Sequence, residues 1–409
     1  MKRPIIVSTI LLAALVLSAC SPLALATTLA GTALSQSAPA AEQSTGVEAK
    51  VTADSAPQVV ESSTLEQIYE RVNPSVVNIQ VVTQAQNTQF APGFPFGDQR
   101  ELPSVPGSAL GSGFVWDEEG HIVTNNHVVE DAGQVSVMFS DGFVVPAEVV
   151  ATDSYSDLAV IKVDMPANRL QPVELASSAD VGVGQTAIAI GNPFGLEGTM
   201  TLGIISAVGR SLPVTAGIRS GATYSIPNVI QTDAPINPGN SGGVLLNVDG
   251  EVIGVTTAIE STTGANAGIG FAVPSDIIAK VIPALIGEGK YEYPYLGISG
   301  TTLSYNLNQS LNLSEDQRGV LVAEVTQGGP ADDAGLRGSE TQAQQDGSQQ
   351  IVGADIITHI DGNPVTTFEG MVAYLIETKS PGDTARLTVL RDGDSVEVTI
   401  TLGARPANQ

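Results

Sequence analysis

Hydrophobic positions along the chain fall into short runs separated by turn residues. Between 110 and 275, β-branched segments alternate with Gly, Asn and Asp. They comprise 113–115, 135–139, 147–150, 158–163, 186–190, 201–208, 229–232, 243–246, 252–256 and 270–273. Runs this short and evenly spaced predict the strands of an all-β barrel or sandwich. Upstream, Leu65, Ile68 and Val72 share one face of a predicted helix over 64–72, and 75–82 reads as a strand. Residues 84–107, rich in Gln, Pro and Gly, read as a long loop, and so does the Gly-rich stretch 209–228. A helix is expected over 275–286, with Ser275 as N-cap, Asp276 in the first turn and Pro283 weakening the last.

From about residue 292 the texture changes. Short strands at 295–298, 319–322 and 356–360 mix with helices at 330–336 and 368–377, and strands at 385–391 and 395–402 close the unit. This predicts a mixed α+β domain of about a hundred residues. The stretch 338–350, dominated by Gln, Ser, Asp and Gly, reads as a surface insertion.

The N-terminus reads as an address. Lys2 and Arg3 precede the apolar run 5–17, which is shorter than the ~20 residues needed to cross a bilayer. The run ends in Leu17-Ser18-Ala19-Cys20, similar to a bacterial lipobox, so 1–20 is expected to be a lipoprotein signal with Cys20 lipidated. A plain secretory signal and an uncleaved anchor are the alternatives. All three export the chain. Residues 21–62, rich in Ala, Ser, Thr and Gln, read as a tether.

Charge narrows the functions. Of 409 residues, 17 are basic and 43 acidic, for a net charge of −26. That excludes generic electrostatic nucleic-acid binding and argues against docking on an anionic membrane surface by charge. One Cys and three His rule out an internal disulfide and make a multi-histidine or cysteine metal site improbable, so no metal or cofactor is expected.

Gly239-Asn240-Ser241-Gly242-Gly243 is the most informative segment. A nucleophilic serine needs a tight turn and neighbouring backbone N–H groups aimed at a developing oxyanion, and flanking glycines permit both. Its base comes from three histidines. His127, in 124–129 at the end of an apolar strand, is the strongest candidate. His121 reads as a solvated turn residue and His359 as a strand-face residue. Asp157, preceding the run 158–163, is the expected partner of the imidazole, with Asp153 as its rival.

These segments resemble the HtrA family of serine proteases. Thr-Asn-Asn-His-Val-Val at 124–129, Ser-Asp-Leu-Ala-Val-Ile-Lys-Val at 156–163 and Asn-Pro-Gly-Asn-Ser-Gly-Gly at 237–243 are similar to its signatures. Gly191 to Gly195 and Gly268 to Pro274 match it too, and the likeness covers about 63–404. It departs from the family at Val244, where Pro is frequent, and in the insertion 338–350.

The resemblance implies a mainly β chain: a chymotrypsin-type double β-barrel over 63–290, then an α+β PDZ domain over 292–404. It implies an ATP-independent endopeptidase of misfolded or signalling exported proteins. Ser241 would be nucleophile, His127 base and Asp157 orienter, with the N–H groups of Gly239, Asn240 and Ser241 as oxyanion hole. Pro235, Ile236 and Ile269 would line an S1 pocket for a small aliphatic residue. Tyr295, Leu296, Gly297 and Ile298 would form the PDZ loop that binds a peptide's C-terminal carboxylate. It also implies a homotrimer built through 64–110, including Tyr69, Phe90, Phe94 and Phe96. A chaperone-like peptide-binding scaffold with little proteolysis is the alternative, and the intact triad favours the enzyme.

Overall fold

Twelve strands close into two barrels. The first contains β1 (Val76–Thr83), β2 (Ser108–Val115), β3 (His121–Thr124), β4 (Ala132–Met138), β5 (Val144–Asp153) and β6 (Leu158–Val163). They hydrogen-bond in the order β1-β2-β3-β6-β5-β4, and β4 returns to β1. The second contains β7 (Thr186–Gly191), β8 (Thr199–Thr215), β9 (Thr223–Thr232), β10 (Val244–Leu246), β11 (Val252–Thr257) and β12 (Gly270–Pro274). Its order is β10-β11-β12-β9-β8-β7, closed by the pairing of β7 with β10. This computed structural model describes residues 62–83, 108–193, 195, 198–215, 223–257, 268–343 and 349–406. Cys20, most of the tether and Phe90, Phe94 and Phe96 lie outside the described residues.

Helix α1 (Ser62–Val72) precedes the first barrel, α2 (Asn126–Val129) follows β3, and α3 (Ser275–Glu288) follows the second barrel. One hydrophobic core runs across both barrels. Phe114, Val123 and Val160 of the first meet Ile190, Val244 and Val255 of the second, and α3 adds Ile278, Val281 and Leu285. Full burial of each such side chain contributes about 1.5–3 kcal/mol. The barrels are therefore docked by apolar packing, which fixes how segments from each meet at the seam.

The second domain has β14 (Ile298–Thr302) at the edge of a sheet ordered β14-β15-β18-β20-β21. Its other members are β15 (Val320–Val325), β18 (Ile356–Ile360), β20 (Thr384–Arg391) and β21 (Asp394–Thr401), while β19 (Asn363–Pro364) pairs with β18. The short β13 (Pro294–Tyr295) pairs with β22 (Gly403–Ala404). Helices α4 (Tyr305–Ser310), α5 (Pro330–Asp333) and α6 (Phe368–Thr378) complete it, with Leu296, Val322, Met371, Leu387 and Ile400 in its core.

Several expectations change. The stretch 209–228 is no simple loop: β8 runs to Thr215 and β9 starts at Thr223, paired from Ile205↔Thr232 to Thr215↔Thr223 with register shifts. The insertion 338–350 forms most of a hairpin of β16 (Glu340–Ala343) and β17 (Gln349–Val352), which runs two residues past it. The N-cap of α3 is Pro274, and the Ser275 hydroxyl donates to Ala176 O at 2.6 Å. Ser62, assigned to the tether, opens α1. Residues 295–298 do not form one strand, because the chain bends between β13 and β14 at Leu296-Gly297.

Candidate active site

His127 stands on α2, not at a strand end. Two bonds to the Asp157 carbonyl fold this turn: Asn126 N–H at 3.1 Å and Asn125 Nδ2 at 2.9 Å. Asp157 itself adopts φ +56°, a left-handed conformation that Asp tolerates better than most residues. The turn thus brings its carboxylate to His127. Nδ1 lies 3.0 Å from Oδ1 and 2.8 Å from Oδ2, and the His127 backbone N–H donates to Oδ1 at 3.1 Å. Thr257 Oγ1 donates to Oδ2 at 3.0 Å. An ionised carboxylate has no proton to give, so Nδ1 carries the hydrogen and Nε2 keeps its lone pair.

The carboxylate is buried and the imidazole is 41% exposed. Burial by itself would lower the His127 pKa. The hydrogen bond and charge of Asp157, with the charge of Glu130, outweigh it and hold the pKa above 6.5.

Asp153 is not the partner of His127. Its carboxylate caps the following turn, accepting from Tyr155 N–H at 3.3 Å, Ser156 N–H at 3.2 Å and the Ser156 and Tyr293 hydroxyls. His121 is buried on β3, and its Nδ1 meets Asp117 at 2.6 Å, which corrects the solvated-turn expectation. Asp117, Glu119 and His121 bring three metal-ligand side chains together, but His121 Nε2 faces Lys162 Nζ at 3.2 Å. The group is a hydrogen-bonded turn, with His121 Nδ1 facing Asp117 and Nε2 facing Lys162.

Ser241 sits on the turn before β10, on the seam between the barrels. Its carbonyl accepts from Ser112 N–H at 2.7 Å, and Gly242 N–H donates to Thr256 O at 2.8 Å. Thr256 and Thr257 are adjacent on β11, so one strand holds both the serine turn and the Asp157 carboxylate. Gly239 has φ +93° and Gly242 φ +86°. A Cβ at Gly242 would run into Ser112 O and Thr124 Oγ1. The Asn240 N–H closes the turn onto Asn237 O at 2.9 Å, which removes it as an oxyanion donor and corrects that expectation. Gly239 and Ser241 are the remaining candidates.

Among the S1 candidates, Ile236 is buried against Gly270, Ile269 is 55% exposed, and Pro235 is exposed. Asp233 Oδ1 accepts the Ile204 N–H at 2.7 Å. Tyr69, expected at a subunit interface, donates its hydroxyl to Gly198 O of its own chain at 2.7 Å. In the second domain, Leu296 O accepts from Ala331 N–H at 2.9 Å and Gly297 O from Thr326 N–H at 2.8 Å. These bonds shape the 295–298 bend beside the open edge of β14. Ser112 and Thr256 carry no motif of their own and were not among the sequence candidates.

The trypsin-like peptidase domain matches residues 111–255, and the PDZ domain matches 294–402. Protease Do-like 1, chloroplastic, of Arabidopsis thaliana is 38% identical over 339 residues, covering 83% of this chain and 71% of that protein. The periplasmic pH-dependent serine endoprotease DegQ of Escherichia coli K12 is 38% identical, covering 81% of this chain and 69% of its own length. Among solved structures, the HtrA-type protease AlgW with a decapeptide superposes with a TM-score of 0.62 at 34% identity, covering 84% of this chain and 99% of that one. The chain belongs to the HtrA family of trypsin-like serine proteases and carries a C-terminal PDZ domain.

Proposed function

We propose that Ser241 Oγ is the nucleophile of this serine endopeptidase, His127 its general base and acid, and Asp157 the group that orients and charges His127. The observation that carries this reading is the His127–Asp157 pair. Its carboxylate is buried, hydrogen-bonded to Nδ1 and steadied by Thr257, which leaves Nε2 as the base. Ser241 attacks the scissile carbonyl while His127 takes its proton. The tetrahedral oxyanion is received by the N–H groups of Gly239 and Ser241. His127 then protonates the leaving amine, and water repeats the sequence on the acyl-enzyme.

The apolar side chains of Ile236 and Ile269 support small aliphatic P1 residues. Polypeptides are the substrates. A free C-terminus adding as a strand to β14, its carboxylate at Tyr295–Ile298, is the recognition mode that the open sheet edge supports. The periplasmic relatives support an exported protein. We assign residues 1–20 as a lipoprotein signal with Cys20 as the lipid anchor, 21–62 as the tether, 63–290 as the protease domain and 292–404 as the PDZ domain. We assign a homotrimer as the assembly.

Ser241→Ala tests the assignment. The variant should fold and lose cleavage of β-casein, and wild type should be silenced by a serine-directed phosphonate. Casein cleavage by the pure variant would overturn the assignment of Ser241.

A further inference from the structure

Ser112 lies on β2 of the first barrel and is fully buried, yet its polar groups serve the serine turn of the second. Its N–H donates to Ser241 O at 2.7 Å, and its Oγ donates to Gly239 O at 2.6 Å. The same Oγ accepts from Asn192 N–H at 2.8 Å, and its carbonyl is held by Thr124 Oγ1 at 2.7 Å. Thr256 on β11 complements it. Its Oγ1 donates to Asn240 O at 2.6 Å, its O accepts from Gly242 N–H at 2.8 Å and its N–H donates to Gly243 O at 2.9 Å.

These bonds fix three successive peptide planes. The Gly239–Asn240 plane is gripped at its oxygen by Ser112 Oγ and at its N–H by Asn237 O. The Asn240–Ser241 plane is gripped at its oxygen by Thr256 Oγ1 and by Gly243 N–H at 3.0 Å. The Ser241–Gly242 plane is gripped at its oxygen by Ser112 N–H and at its N–H by Thr256 O. A trans peptide sends N–H and C=O in opposite directions. Holding Asn240 O therefore sets where the Ser241 N–H points.

We propose that Ser112 and Thr256 are positioning residues for catalysis, whose hydroxyls hold the serine turn in the geometry that aims its N–H donors at the oxyanion. The inference rests on the proposed roles of Ser241 and Gly239. Oxyanion stabilisation depends on donors fixed before the reaction, because they then need no reorganisation as charge develops. Ser112→Ala would leave Gly239 O and Asn192 N–H buried without this partner, and the turn would move to satisfy them. The loss then falls on the transition state more than on substrate binding.

The test measures kcat and KM on a fluorogenic peptide with P1 Val, per active site titrated with a fluorophosphonate, and the affinity of a peptidyl boronate. Removal of one oxyanion donor typically lowers kcat about 10²–10³-fold, and misdirecting one should lower it at least about tenfold. Ser112→Ala should therefore lose at least about tenfold in kcat per site with KM within about threefold, and boronate affinity should fall in parallel. Thr256→Val should behave alike, and Thr256→Ser, which keeps the hydroxyl, should recover most of the loss. Normal kcat per titrated site, with only fewer sites titrating, would mean a merely structural role and overturn the proposal. If Ser112→Ala does not fold, the Thr256→Val and Thr256→Ser pair decides it. An active Ser241→Ala would instead place the error in the nucleophile. An inactive Ser241→Ala beside fully active Ser112→Ala and Thr256→Val would place it here.

Discussion

Asp157→Asn is the sharpest probe of the proposed mechanism. The substitution keeps size and suits the backbone, because Asn tolerates the left-handed φ of +56° better than most residues. Alanine there would mix strain with chemistry. The hydrogen bonds decide how the amide sits. Oδ1 accepts the His127 backbone N–H, which cannot turn away, so an NH₂ at that position would set donor against donor. Oδ2 faces His127 Nδ1 and the Thr257 hydroxyl, which can rotate to accept. The NH₂ therefore takes the Oδ2 position and donates to Nδ1. The ring is driven to the tautomer with hydrogen on Nε2, which cannot take a proton from Ser241. In triads, trapping this tautomer lowers kcat about 10⁴-fold, or about 5.4 kcal/mol of transition-state stabilisation.

The assay is kcat/KM against pH on a P1-Val peptide. In the wild type the base works only when neutral, so the rate rises through the His127 pKa, and its acid limb should lie above 6.5. In Asp157→Asn the rate should fall about 10⁴-fold and the imidazole should titrate lower, having lost the carboxylate that raised it. Stability follows with a defined sign. A histidine whose folded pKa is raised adds stability that is fully present below 6.5 and disappears as pH climbs through the folded value. Asp157→Asn should lose stability mostly at the acid end of that window. A variant within tenfold of wild type, or one that titrates unchanged, would refute the role of Asp157.

Two further outcomes test the frame around the site. Gly242→Ala should abolish activity and destabilise the protease domain by about 1–3 kcal/mol or more, since φ is +86° and the methyl would collide with Ser112 O and Thr124 Oγ1; urea unfolding and the peptide assay check both. Tyr293→Phe removes a hydroxyl donor from the buried Asp153 carboxylate and should cost about 1–3 kcal/mol at pH 7. Burial raises the Asp153 pKa against the donors that lower it, so its contribution is greatest in acid and declines as pH rises through the folded value. The Tyr293→Phe deficit, by thermal unfolding, should therefore shrink toward pH 4; equal losses at both pH values would count against this account of Asp153.

The parts of the site carried by local pattern were legible in the sequence. Gly239 to Gly243 points to a serine on a glycine turn, and Asp157 precedes the run 158–163, with Asp153 left as its rival by the sequence alone. The strand content followed from the same short β-branched runs. What escaped depends on partners far along the chain. The residues 126–129 look extended by composition, yet form a helix because Asn125 and Asn126 are tied to the Asp157 carbonyl. His121 looked solvated among Asp, Glu and Gly, but the pairing of β3 with β6 sets it opposite Lys162 and buries it. The Asn240 N–H looked like an oxyanion donor until the turn back to Asn237 claimed it.

Ser112 shows why such residues elude a linear reading. Gly-Ser-Gly within a strand has no chemical signature, and its partner lies 127 positions away at Gly239. Its function exists only because the two barrels dock. The same docking is fixed by apolar side chains, with Phe114 and Val123 of one barrel in the same core as Ile190 and Val244 of the other. β2 places Phe114 in that core and Ser112 two residues earlier, a spacing that puts both on one face of a strand. The alternation of β2 therefore links core packing to catalytic geometry. A change that shifts the barrels by a fraction of an ångström at Phe114 acts on the serine turn through Ser112 without touching substrate. Activity should accordingly be more sensitive than stability to repacking of this seam.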